Sequence, residues 1–151
     1  MSSDQQMICL KEAIWRTTAE AVVPTHDLLG VDLVNLTDFE RQLSLAGMRL
    51  RERLFSVDER DFCGEDTQRL ASTLAGKEAV AKVLGTGFRD GVRFRGIEIL
   101  REPTGRPYAK LSGGAQRRAN DLGLRGLTVS LCHEPPFAVA VAAGISGCRN
   151  Q

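Results

Sequence analysis

Arg69–Gly87 reads RLASTLAGKEAVAKVLGTG, and the rest of the chain is interpreted around it. Leu70, Leu74, Ala81 and Leu84 recur at helical spacing. Gly85 stands where a helix needs a left-handed exit. The stretch is expected to form one long helix with a packed face, capped by Asp66 or Thr67. Lys77, Glu78 and Lys82 fall in its middle. Glu78 and Lys82 are one turn apart, the spacing of an ordinary helical ion pair worth about 0.2–0.5 kcal/mol. Ala75, Gly76, Ala79 and Ala81 are small, so another element or a ligand can approach closely. Gly76 costs about 1 kcal/mol relative to alanine inside a helix, which implies a packing or functional reason for it.

Upstream, Leu29–Val34 reads LGVDLV, the core of an expected buried strand over Leu29–Leu36. Its one acid, Asp32, sits in an apolar run. Val31 and Leu33 face one side of such a strand, Asp32 and Val34 the other. A carboxylate buried there needs a partner or a metal, unless it simply faces solvent at a strand end. We read Asp32 and Glu78 as meeting in the fold to share a divalent metal. Two carboxylates from separate elements suit Mg²⁺, which fills its octahedron with water and substrate phosphates. Such an ion would polarise a phosphoryl oxygen, with Lys82 placed to reach a phosphate as a point charge.

The bulk numbers fit one globular domain: 151 residues, 42% hydrophobic and 26% charged. A net charge of +1 and an aromatic fraction of 5% argue against a nucleic-acid surface. Local charge is less even. Arg101, Arg106, Lys110, Arg117 and Arg118 face only Glu102 between Arg101 and Arg118, and Arg41, Arg49, Arg51 and Arg53 form a second cluster. These are either solvated surface or docking sites for polyanions. Cys9, Cys63, Cys132 and Cys148 lack zinc-ribbon spacing and are expected to be reduced thiols. No apolar stretch approaches a membrane span, and the expected location is cytoplasmic.

In chain order, residues 1–28 are expected as an N-terminal extension, partly disordered or accessory, in which Ile8–Val23 is compatible with helix or strand. Thr37 with Glu40 reads as a capping box opening a helix to about Ala46, stopped by Gly47. A short helical turn over Arg49–Phe55 follows, and a second capping box, Ser56 with Glu59, opens a helix to about Cys63. Beyond the central helix come a strand over Val92–Leu100, a turn at Pro103–Gly105, a return strand over Arg106–Leu111 and a helix over Ser112–Leu122. Strands over Leu127–His133 and Phe137–Ala143 flank Pro135–Pro136. The domain proper is expected over 29–146, with 147–151 as a tail. The class is α+β: a mostly antiparallel sheet packed on the long central helix. Cys132 reads as a buried structural thiol and His133 as a satisfied, partly buried histidine.

Four segments together resemble the holo-acyl-carrier-protein synthases, the small trimeric phosphopantetheinyl transferases. They are Gly30–Val34, Leu74–Gly87, Phe94–Leu100 with Gly105–Tyr108, and Val129–His133. The resemblance covers about Leu29 to Gly144. It implies Mg²⁺-dependent transfer of 4′-phosphopantetheine from coenzyme A to a serine of an apo acyl carrier protein, releasing adenosine 3′,5′-bisphosphate. It implies a homotrimer with sites between subunits, and no nucleic-acid or membrane partner. Asp32 and Glu78 would hold the metal and Lys82 would assist at the phosphates. Gly105, Arg106 and Pro107 would lie near the nucleotide, with Thr128 and Ser130 among the cofactor contacts. Arg41, Arg49 and Arg53 would meet the acidic carrier. The chain departs from the family pattern at Asp38, Thr73, Thr128 and Cys132. The alternative implied by those departures is a catalytically silent trimer that binds coenzyme A or a carrier without transfer.

Overall fold

The computed structural model describes residues 27–146. The N-terminal extension, the final tail, Cys9 and Cys148 lie outside the described residues, apart from the last two positions of the expected extension. The chain runs through β1 (Asp27–Asn35), α1 (Leu36–Leu54), α2 (Val57–Cys63), α3 (Thr67–Val83) and a 3₁₀ turn at Phe94–Gly96. It continues through β2 (Ile97–Arg101), β3 (Pro107–Leu111), α4 (Gly113–Asp121), β4 (Leu124–Glu134) and β5 (Phe137–Ser146). Strands β1, β5 and β4 form one antiparallel sheet in that order, and β2 and β3 form a separate antiparallel hairpin. The α+β expectation holds, with the strands divided between two sheets. No helix among the described residues is long and apolar enough to cross a membrane.

Helix α3 lies across the three-stranded sheet. Asp66 caps it, its carboxylate accepting from the amides of Gln68 (3.0 Å) and Arg69 (3.1 Å). The expectation of a single packed face is too modest. Leu70, Ala71, Thr73, Ala75, Gly76, Lys77, Ala79, Val80 and Val83 are all buried, so the helix is enclosed on most sides. Gly76 has the packing reason its position demands: a Cβ there would sit 3.0 Å from a Leu131 methyl and 3.1 Å from Ile99. Gly30 is still tighter, because a Cβ would overlap the carbonyl of Ala79. Strand β1 therefore rests directly on the α3 backbone.

Three local expectations change. The cap of α1 is Asn35, whose side chain accepts from the Asp38 amide at 3.1 Å, and not Thr37. The Leu36 amide is held by the carbonyl of Pro136 at 2.9 Å, so the helix starts as soon as β1 leaves the sheet. Gly47 does break the helical path (φ 57°, ψ −144°), yet helix resumes through Leu54, as the expected turn over Arg49–Phe55 anticipates. The strand expected from Val92 begins only at Ile97, and the cause is Lys77. Its Nζ donates to the carbonyls of Phe94 (2.9 Å) and Ile97 (2.7 Å), which an extended chain would not turn toward one point. The Ser56–Glu59 capping box and the Asp66 cap form as expected.

The same lysine closes the core. Lys77 and Glu59 are both fully buried, with Nζ 2.6 Å from Oε2. Glu59 also accepts from the amides of Ser56 (2.8 Å) and Ile99 (2.8 Å). Burial lowers the proton affinity of Lys77, and Glu59 works against that shift. Removing one member of such a pair leaves an uncompensated buried charge, at a cost of about 3–5 kcal/mol. Lys77→Met is expected to lose stability on that scale in urea unfolding. The Lys77→Met/Glu59→Gln double variant should lose less than the sum of the two single changes. Additive losses would mean that the two charges do not compensate each other.

Candidate active site

β1 and α3 carry the groups with chemical capacity, and the Gly30–Ala79 contact sets their distance. Along β1 the side chains alternate: Gly30, Asp32 and Val34 turn toward the helix while Leu29, Val31 and Leu33 stay exposed. Asp32 is thus aimed at α3, where Lys82 meets it. Lys82 Nζ donates to Asp32 Oδ1 at 2.8 Å and to the Val31 carbonyl at 2.6 Å. The expected helical pair between Lys82 and Glu78 does not form. Lys82 spends its donors across the β1–α3 seam, leaving Glu78 without that neutralising contact.

Glu78 and Asp32 line one open groove of about 410 Å³, together with Asn35, Asp38, Gln42 and Leu74. Burial raises the proton affinity of Glu78. The Asp32 carboxylate raises it further, and Lys82 only partly offsets them. Two acids from separate elements therefore converge and feel each other's charge, as the sequence reading expects. Among the described residues no cluster of three or more histidine, cysteine or acidic side chains could cage a metal. A pair of carboxylates opening on free space fits a hard ion that completes its shell with water and phosphate oxygens.

The other expected site residues lie elsewhere in this chain. Gly105 and Arg106 lie in the turn of the β2–β3 hairpin and Pro107 opens β3; none of the three lines the groove. Thr128 and Ser130 project from the outer face of β4, and β5 separates that strand from β1. Cys132 shares their face and is exposed, which corrects the expectation of a buried thiol. The face is open because no helix among the described residues covers that side of the sheet. His133 is exposed and not partly buried as expected, though its Nδ1 lies 3.2 Å from Ser72 Oγ. Ser72 gives its one proton to the Gln68 carbonyl (2.8 Å), so the ring Nδ1 donates to the Ser72 oxygen.

Arg41 pairs with Asp38 at 3.8 Å, and Arg49 is exposed on the same helix. Arg53 lines a second groove, of about 290 Å³, with Arg93, Arg95 and the stacked rings of Phe88 and Phe94. Sequence reasoning assigned no role to Lys77 and saw Glu59 only as a capping residue. The missed signal was Lys77 itself, a charged residue amid Leu74, Ala75, Gly76, Ala79 and Val80 that needs a buried partner.

The family model of the 4′-phosphopantetheinyl transferase superfamily matches residues 28–140. The chain belongs to this superfamily. Among curated members, the holo-acyl-carrier-protein synthase of Geobacter metallireducens is 38% identical over 115 residues, 74% of this chain and 91% of that protein. That of Desulforudis audaxviator is 39% identical over 126 residues, 82% of this chain and 95% of that protein. The crystal structure of the Helicobacter pylori synthase in complex with coenzyme A superposes with a TM-score of 0.71 at 28% identity, covering 77% of this chain and 98% of that one. The Neisseria meningitidis synthase gives the same TM-score of 0.71 at 27% identity, covering 77% and 95%. The transferase fold and family expected from the four motifs are therefore those of the chain.

The raised proton affinity of Glu78 carries a sign. The folded state favours its protonated form, which stabilises the fold at acid pH, and this contribution is lost as pH rises through the raised pKa. In a metal chelator, Glu78→Gln is expected to melt above the wild type at pH 8. The gap should close as pH falls toward the ordinary glutamate value of about 4.3. A gap that does not change with pH would mean that burial and the Asp32 charge do not raise the proton affinity of Glu78.

Proposed function

We propose that the chain is a holo-acyl-carrier-protein synthase, moving 4′-phosphopantetheine from coenzyme A to a serine of an apo acyl carrier protein. One observation carries this reading: in a chain of this superfamily, Asp32 and Glu78 line one open groove, and Lys82 bonds the Asp32 carboxylate at 2.8 Å. Solved relatives include the Helicobacter pylori synthase bound to coenzyme A, and the same ligand class is assigned to this groove.

Asp32 and Glu78 are the residues that would hold Mg²⁺. A bound Mg²⁺ would draw charge from the pyrophosphate oxygens of coenzyme A. Lys82, bonded to Asp32, offers a point charge to the phosphates once they arrive. The carrier serine oxygen forms a bond to the phosphorus bearing the pantetheine arm. The bond from that phosphorus to the bridging oxygen breaks, and adenosine 3′,5′-bisphosphate leaves with the electron pair. The serine proton passes to a carboxylate at the groove. The chain's contribution is positioning and charge balance. Arg49 and Arg53, with Arg41, present positive charge along α1 to an acidic carrier.

A homotrimer completes the site. Leu29, Val31, Leu33, Val141 and Ile145 leave an apolar face on the outer side of the sheet, Val31 being 53% exposed and paired in register with Val141. Large exposed apolar patches mark association surfaces. The turn at Gly105–Pro107 and the hydroxyls of Thr128 and Ser130 then serve the groove of a neighbouring copy. A cytoplasmic location goes with this reading.

The test is intact-mass spectrometry of apo carrier proteins incubated with the chain, coenzyme A and Mg²⁺. The carrier is expected to gain phosphopantetheine only with Mg²⁺, and Asp32→Ala or Glu78→Ala should abolish the gain while leaving the circular-dichroism spectrum unchanged. Coenzyme A binding without a mass gain on any carrier would replace this reading with the silent binding module. Wild-type transfer by either variant would remove the metal assignment. In light scattering, Val31→Glu is expected to convert trimer to monomer, and an unchanged mass would place the interface elsewhere.

A further inference from the structure

The wall that α1 gives to the groove is acidic. Asp38 lines it beside Gln42, on the same open space as Asp32 and Glu78. The start of the helix fixes its place, because its amide donates to the Asn35 side chain at 3.1 Å. Asp38 is not a third metal ligand: among the described residues no three histidine, cysteine or acidic side chains are placed to share an ion. An ion held by Asp32 and Glu78 would therefore leave its charge standing. Lys82 is committed to Asp32 and the Val31 carbonyl. The cation that Asp38 does meet is Arg41, at 3.8 Å, with side chains 63% and 71% exposed. A pair so long and so open to water is weak, and it leaves the carboxylate available to an incoming charge. Asp38 is also one of the four positions at which the chain departs from the family pattern.

Outward from the groove the character of α1 changes. Leu45 follows Asp38 by seven residues, on the same helical face, and is 81% exposed. Gly47 then turns the helical path, and the exposed Arg49 and Arg53 come after it. The helix thus presents an acid at the groove, an apolar side chain beyond it and cations at its far end. A partner of matching chemistry carries a cation nearest the groove and acids farther away. A carrier whose serine enters the groove brings the side chains beside that serine to the Asp38 wall. We infer that Asp38 is a specificity residue, selecting carriers with a lysine or arginine beside the modified serine. It acts against carriers with an acid there as well, since like charges brought together repel. That the partner is a carrier rests on the proposed transferase function; the charge preference rests on the acidic wall.

The experiment uses one apo acyl carrier protein in two forms, with lysine or with glutamate immediately after the modified serine. Transfer rates and calorimetric binding to the full chain are measured for both. Wild type is expected to favour the lysine form about tenfold in kcat/KM, chiefly through KM. Asp38→Asn should bring the ratio near unity, and Asp38→Lys should reverse it. Raising salt from about 0.1 M to about 1 M shortens the screening length from about 10 Å to about 3 Å, and should shrink the wild-type preference. If Asp38 serves only to start α1, both variants melt lower while the ratio between the two carriers stays as in wild type; that result overturns the inference. So does a wild type that treats the two carriers alike. If wild type modifies neither form, the proposed function fails and binding still decides Asp38. Tighter binding of the lysine form that is lost in Asp38→Asn sustains the selection, and equal or absent binding overturns it.

Discussion

The buried ion pair of Lys77 and Glu59 is the constraint on which the rest of the structure depends. Two charges withdrawn from water are tolerable only when each is also hydrogen-bonded. Here the partners are backbone groups: the carbonyls of Phe94 and Ile97, and the amides of Ser56 and Ile99. That choice fixes three chain segments at once. The start of α2, the middle of α3 and the entry to β2 cannot shift without leaving a buried polar group unpaired. An apolar core tolerates small slips; this junction does not.

Helix α3 then serves opposite demands on opposite sides. Lys77 and Lys82 are five residues apart, which places them about 140° apart around the axis. The first is sealed in the core and holds the helix in place. The second emerges on the far side and bonds Asp32. Glu78, adjacent to Lys77, inherits a fixed position from the sealed pair without sharing its environment. A carboxylate partly withdrawn from water beside another carboxylate is unfavourable in isolation, and a rigid helix anchored one residue away is what can hold it there.

This division explains what could be read from the sequence. Asp32 and Glu78 stood out because each breaks the pattern of its own element, an acid in an apolar strand and an acid on a helix of small residues. Helix caps at Ser56 and Asp66 were legible because capping is local. Asn35 was not, because it acts as a cap only where β1 leaves the sheet, a boundary set by pairing with β5. The late start of β2 depends on a lysine twenty residues earlier in the chain, and no local window contains that information. The contact of Lys82 with Asp32 was not legible for a related reason: the helical spacing to Glu78 is visible in sequence, but the closer approach to Asp32 exists only once Gly30 has brought β1 onto the Ala79 carbonyl. The exposure of Cys132 likewise follows from the absence, among the described residues, of a helix on one side of the sheet, which alternation along β4 cannot reveal.

Strand β1 links the site to the proposed assembly through the two-residue period of extended chain. Its inward residues, Gly30, Asp32 and Val34, supply the close contact and the acid. Its outward residues, Leu29, Val31 and Leu33, supply half of an apolar face that β5 extends with Val141 and Ile145. A one-residue slip in pairing would exchange the two sets, burying Val31 and Leu33 against α3 and turning Asp32 out onto the apolar face. Selection for either surface therefore maintains the other. The tight fit of Gly30 on Ala79 enforces the register, since a side chain at that point would collide with the helix backbone. The proposed need for a second copy at the site follows from the same geometry. The hairpin turn and the hydroxyls of β4 lie away from the groove in their own chain, and the apolar face that no described residue covers is the surface proposed to bring another chain's copies to it.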